Sequence, residues 1–198
     1  MTDFDPSAYG PLVAELLPPE RLLPLGPGTP DPAAKPKLQA LTIEALFPQG
    51  THDADMARCC IAALWLWHDF LDEAHKIVQH VGSLSASYWH GIIHRREKDY
   101  SNAKYWFRHV GPHPVTELLQ LQASGILRGF TSHQIRPPGL DQDWQRGLML
   151  DECWDPVAFV DLCESDTTRD PVVEEFARVI QRLEWQLLFD WCWQNATR

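Results

Sequence analysis

The chain has 198 residues, 44% of them hydrophobic and nine of them Trp, which is enough apolar surface for one compact domain. Its formal net charge of -10 argues against general nucleic-acid binding, because neutralising phosphates takes clustered Lys and Arg. No stretch approaches the roughly 18 apolar residues of a membrane-spanning helix. The acidic start Met1-Thr2-Asp3-Phe4-Asp5 lacks the order of a secretory signal, so a cytoplasmic protein with no membrane attachment is expected.

Ten of the sixteen Pro fall in the first 48 residues, and segments such as Leu25-Gly26-Pro27-Gly28-Thr29-Pro30 cannot continue a helix. Residues 1–50 therefore read as a Pro-rich arm. It should carry a short helix near 12–17 and a longer one near 37–47 that starts close to Pro36. Leu22, Leu23 and Leu25 suit an extended stretch docked on the body.

Residues 51–198 read as an all-α domain. From 53 to 81 the apolar positions Met56, Cys60, Ala63, Leu64 and Trp67 recur at helical steps, with a break near Asp69 and an end at Gly82-Ser83. Segments 88–94 and 100–110 repeat the arrangement, closed by Gly111-Pro112-His113-Pro114. A further helix is predicted over 116–130 and a loop over 131–147. Asp155-Pro156 and Asp170-Pro171 each read as an N-cap followed by Pro in the first helical position. After the second, Phe176, Ile180, Leu183, Leu187 and Trp191 mark a long amphipathic helix. Sustained period-2 alternation is missing, so the expected architecture is a helical bundle: hairpins over 51–115 and C-terminal helices over 116–198.

The two central segments match at an offset of 29 residues, pairing Ala62, Trp65, Ala74, Val78 and Val81 with Gly91, His94, Ala103, Phe107 and Val110. This series of small, ring and Ala positions resembles the tetratricopeptide signature, in which small residues let two antiparallel helices approach closely. Tyr100-Ser101-Asn102-Ala103-Lys104-Tyr105-Trp106-Phe107 resembles the second helix of the related Sel-like repeat. The resemblance implies two helical hairpins inside a larger bundle. The run 88–97 together with 102–108 is also similar to an uncharacterised microbial family of about this length, over most of the chain after Lys35, and that likeness implies no activity.

Three constellations could carry chemistry. His90, His94 and Glu97 have i, i+4, i+7 spacing, which on one helix places two imidazoles and a carboxylate on one face, a set that can leave open positions on zinc or non-haem iron. His68, Asp72 and His75 have the same spacing one hairpin earlier, so His68 and His75 are candidate second ligands. The five Cys, at 59, 60, 153, 163 and 192, are odd in number and contain no Cys-x-x-Cys pair, which disfavours a disulfide framework or a thiolate zinc site.

The third constellation is electrostatic. Residues 83–115 hold Arg95, Arg96, Lys98, Lys104 and Arg108 against only Glu97 and Asp99, while residues 141–198 hold 13 acidic and 5 basic groups. Arg95, Arg96 and Arg108 could clamp a carboxylate or phosphate, with Tyr88, Trp89 and Trp106 as an apolar wall and His90 and His94 beside it. The leading expectation is thus a helical-repeat protein that binds an anionic small molecule or a peptide or protein partner at 88–108. The alternative is a metal-dependent enzyme using His90, His94 and Glu97 with zinc or iron.

Overall fold

Helices begin where Thr42, Asp53, Ser83, Asp99, Asp155 and Asp170 stand, because each side chain accepts a backbone N–H of the first turn that would otherwise lack a partner. The computed structural model describes residues 4–18, 21–132 and 154–198, and all regular structure among them is helical. In chain order the helices are α1 (Pro11–Leu16), α2 (Lys35–Gln39), α3 (Ile43–Leu46), α4 (Ala54–Trp67) and α5 (Leu71–Val78). They continue as α6 (Leu84–Arg96), α7 (Tyr100–Val110), α8 (Pro114–Ser132), α9 (Pro156–Glu164) and α10 (Pro171–Thr197). No helix among the described residues is long and apolar enough to cross a membrane.

Several boundaries differ from the sequence expectation. The single helix predicted over 37–47 is two short ones, because Thr42 is extended and its hydroxyl caps α3 through the N–H of Ala45. The helix predicted over 88–94 starts at Leu84, where Ser83 accepts from the N–H of Ala86. The loop expected over 131–147 lies outside the described residues from 133 onward, while residues 131 and 132 still belong to α8.

The turns after α4 and α6 have the same backbone. Asp69 and Lys98, 29 residues apart, both sit in the left-handed region, at φ 64° and φ 62°. The residues that follow them, Phe70 and Asp99, have φ/ψ of −86°/72° and −88°/70°. In both turns the hydrogen bonds also correspond: Phe70 N–H to Trp65 C=O with Asp69 N–H to Leu66 C=O, then Asp99 N–H to His94 C=O with Lys98 N–H to Arg95 C=O. This is the Schellman closure of a helix, here with Asp and Lys in place of the usual Gly, at a cost of roughly 1 kcal/mol each. Each closure reverses the chain within three residues, so α5 packs on α4 and α7 on α6.

Gly91 explains how closely α6 and α7 approach. A Cβ there would lie 2.8 Å from ring carbons of Phe107, so a larger residue would force the Phe107 ring to shift. The roughly 1 kcal/mol that Gly costs a helix relative to Ala is offset by this contact.

Helix α4 is the centre of the core, buried on nearly every side, and it packs against α5, α6 and the long α10. The indole of Trp185 on α10 donates to the Ala63 carbonyl of α4. Farther along, α10 packs on α8, and α9 packs on α7. Cys59, Cys60, Cys163 and Cys192 are buried free thiols.

The described residues between α1 and α2 form no sheet, so their carbonyls need other donors. Body side chains supply them: Arg178 donates to the carbonyls of Leu22 and Leu23, Gln181 to those of Leu23 and Pro24, and Arg96 to that of Gly26. Val13, Leu16, Leu17 and Leu23 share one apolar cluster with α4.

Candidate functional site

The packing of α5 on α6 brings His75 beside the end of α6, where His94 and Glu97 stand one turn apart. Glu97 closes α6 with near-helical dihedrals, so its carboxylate still lies on the face of His94. His94 Nδ1 is 2.9 Å from Glu97 Oε2 and His75 Nδ1 is 3.5 Å from Glu97 Oε1. The two imidazole rings are 4.7 Å apart and nearly perpendicular. One ligand atom from each of the three residues falls within 4.8 Å of the others.

The buried member of the set is His94, only 5% exposed. Its Nδ1 faces the Glu97 carboxylate and has no other hydrogen-bonding partner among the described residues. Its other nitrogen is 3.2 Å from Asn102 Nδ2 on α7, a neighbour that can orient the ring. Burial pushes the Glu97 carboxyl up, but His94 and then His75 outweigh it and hold the group below the usual carboxylate range.

His90 lies next to this set. Its ring is 5.0 Å from that of His75, and it stacks face-on against Trp106 at 4.1 Å with only 8° between the planes. Burial, then the neighbouring His75 and His94, depress its pKa to about 4.

His68, in contrast, lies apart from the cluster. Helix α4 ends at Trp67 and the left-handed Asp69 turns the chain, so the one-helix face expected for His68, Asp72 and His75 does not form. His68 Nε2–H donates to the Leu16 carbonyl at 2.7 Å, its Nδ1 is 3.4 Å from Asp31, and it ties down the N-terminal segment. Asp72 is exposed on α5.

The guanidiniums expected to clamp an anion do not converge. Arg95 and Arg96 are fully buried, Arg95 paired with Glu184 of α10 and Arg96 with Asp69, whereas Arg108 is exposed. Tyr88 and Trp89 are core residues with no exposure, which leaves Trp106 as the partly exposed member of the aromatic wall. Sequence reasoning missed Glu184, although a signal existed. Glu184 continues the four-residue stripe Phe176, Ile180, Leu188, Cys192, all buried, and a carboxylate on such a stripe needs a buried cation.

A second polar constellation lines a cleft of about 260 Å³ formed by Asp53, Met56, Ser85, His113 and Trp191 among others. Ser85 Oγ is 3.1 Å from His113 Nε2, a spacing that could suggest a nucleophile and its base. The tautomer argues otherwise. His113 Nδ1 accepts the N–H of Val115, so the proton sits on Nε2 and is donated to Ser85. Burial lowers the His113 pKa to about 4, and protonating Nδ1 would break the bond to Val115.

With the folded pKa below the unfolded value of about 6.5, the unfolded state binds more protons across that window, and stability falls as pH drops from about 6.5 to 4. Urea unfolding should therefore show a loss between pH 7 and pH 4.5 that is about 2–3 kcal/mol smaller in His113→Asn than in the parent. The same pH slope in both proteins would place the titration elsewhere.

Compared with models of known families, with curated proteins and with solved structures, the chain gives no match.

Proposed function

We propose that this protein binds a divalent transition-metal ion, zinc foremost, through His75, His94 and Glu97. The observation that carries the reading is the buried His94 Nδ1, whose one polar partner among the described residues is a carboxylate that His75 also approaches from another helix. Zinc bonds of about 2.0–2.1 Å place ligand atoms about 3.3 Å apart in a tetrahedron. The distances of 2.9 and 3.5 Å run to different oxygens of Glu97 and the three ligand atoms lie within 4.8 Å of one another, so binding draws them together by up to about 1.5 Å. Two imidazoles and a carboxylate suit zinc, cobalt or iron, and among these zinc is favoured over ferrous iron in the usual order of affinity.

The ligands come from both helix pairs: His75 from α5, and His94 and Glu97 from the end of α6. On this reading the pairs, which resemble tetratricopeptide hairpins, are the frame, and the ion ties one to the other. Zinc at one hundred times its dissociation constant would then add about 2.7 kcal/mol of stability.

The test uses full-length protein without a histidine tag, loaded with zinc, desalted and subjected to elemental analysis. One zinc per chain is expected for the parent, and less than about a tenth of that for His94→Ala and for His75→Ala, with folding checked by circular dichroism. Parent protein that retains no zinc, or variants that retain as much as the parent, would overturn the proposal.

A further inference from the structure

Resting on that reading, we infer that the metal ion keeps one coordination position free for a small monocarboxylate, because the stack on Trp106 holds His90 away from the ion.

The donor count comes first. Among the described residues, His75, His94 and Glu97 are the His, Cys, Asp or Glu side chains that can meet at one ion. Three protein ligands leave a tetrahedral ion one position short, the arrangement of zinc sites that exchange ligands with solvent. Two neighbours could close it. Asn102 is already engaged with His94 Nε2 at 3.2 Å. His90 is the stronger rival, being an imidazole one turn before His94 on the same helix.

Geometry keeps His90 out. Its ring runs parallel to that of His94, at 12° and 6.0 Å, so the two rings lie side by side without converging on a point. Its face is covered by Trp106 at 4.1 Å. To reach the ion, His90 must leave that stack. Losing a buried stack costs about 0.5–1.5 kcal/mol beyond the lost area.

The direction of the vacant position follows from exposure. The side chain of His94 is 6% exposed, while those of His75 and Glu97 are 30% and 26% exposed. Protein therefore backs the ion on the His94 side, and solvent meets it on the other. Charge selects the ligand: a dication held by one carboxylate is net +1, which a monocarboxylate neutralises and a dianion overshoots. An oxygen donor also suits zinc. The partly exposed Trp106, stacked on the His90 ring that lies 5.0 Å from that of His75, is an apolar side chain beside the set.

Cobalt(II), whose visible bands report its coordination number and donors, is the probe. The full chain without a tag is loaded with cobalt and titrated with sodium acetate at constant ionic strength. A saturable change in the visible spectrum is expected, with one acetate per bound cobalt and no loss of cobalt on desalting. The same response is expected in His90→Phe, which keeps an aromatic ring against Trp106 but has no nitrogen. A spectrum indifferent to acetate while cobalt stays stoichiometric means that the protein fills the fourth position, and this inference fails while the metal site stands. Acetate that merely strips the cobalt overturns it as well. A folded His90→Phe protein with altered cobalt bands or weakened retention identifies His90 as the ligand. If parent protein takes up no cobalt or zinc, the metal reading itself falls.

Discussion

Glu184→Ala is expected to lose about 3–5 kcal/mol of folding stability, the usual cost of stranding one member of a buried ion pair. Arg95 and Glu184 have no solvent exposure, and the guanidinium bonds both carboxylate oxygens while lying 4.5 Å from the centroid of the Phe159 ring. Without Glu184 a full positive charge remains among Phe159, Phe107 and Cys163, and no other carboxylate of the described residues pairs with it. For a chain of this length each kcal/mol corresponds to about 2–4 °C in Tm, so the melting point should fall by roughly 6–20 °C. The decisive comparison is Arg95→Met with Glu184→Leu. Because the attraction within a buried pair roughly offsets its desolvation, the double variant should lie within about 1 kcal/mol of the parent or above it. A single variant that costs under about 1 kcal/mol in urea would contradict the buried-charge account.

Asp69→Ala is expected to be nearly as damaging, for a different combination of reasons. Its carboxylate, 3% exposed, pairs with Arg96 on α6 and Arg21 in the N-terminal segment. Once it is removed, Arg96 keeps only the carbonyls of Gly26 and Leu66. The loss should again be about 3–5 kcal/mol. Asp69 also holds φ 64°, which Asn tolerates better than Ala. Asp69→Asn therefore separates the two contributions: it keeps the turn but loses the charge, and should fall between parent and Ala. Gly28 lies against this carboxylate, since a Cβ there would come within 2.5 Å of it. The segment around residues 21–31 should accordingly become the first site of limited proteolysis in Asp69→Ala. A cleavage pattern unchanged from the parent would show that the segment is held by Arg178, Gln181 and His68 alone.

These two pairs also explain why the residues singled out in 88–108 divide as they do. Arg95 and Arg96 are adjacent on α6 and so point in different directions around the helix, one toward α10 and the other toward the α4–α5 turn. Adjacent positions on a helix do not face a common ligand. His94 and Glu97, three apart, share a face, and that part of the sequence reading pointed at groups that do come together. His75 completes them because the Asp69 turn lays α5 on α6.

What the amino-acid order determined by itself was local. The caps at Asp155 and Asp170, the Pro residues after them and the 29-residue offset could be read directly, because the bonds involved span five residues or fewer. The failures have the opposite character. Glu184 meets Arg95 across 89 residues, Asp69 meets Arg96 across 27, and His68 meets Leu16 across 52. Only the tertiary structure decided which charges were already neutralised and which imidazoles came together at one carboxylate. Burial makes an unpartnered charge too costly to leave, yet it sets no rule for where along the chain the partner must lie. Spacing nominated His94 and Glu97 on one face with His75 and His68 as candidates from the helix before, and packing alone brought His75, not His68, beside them.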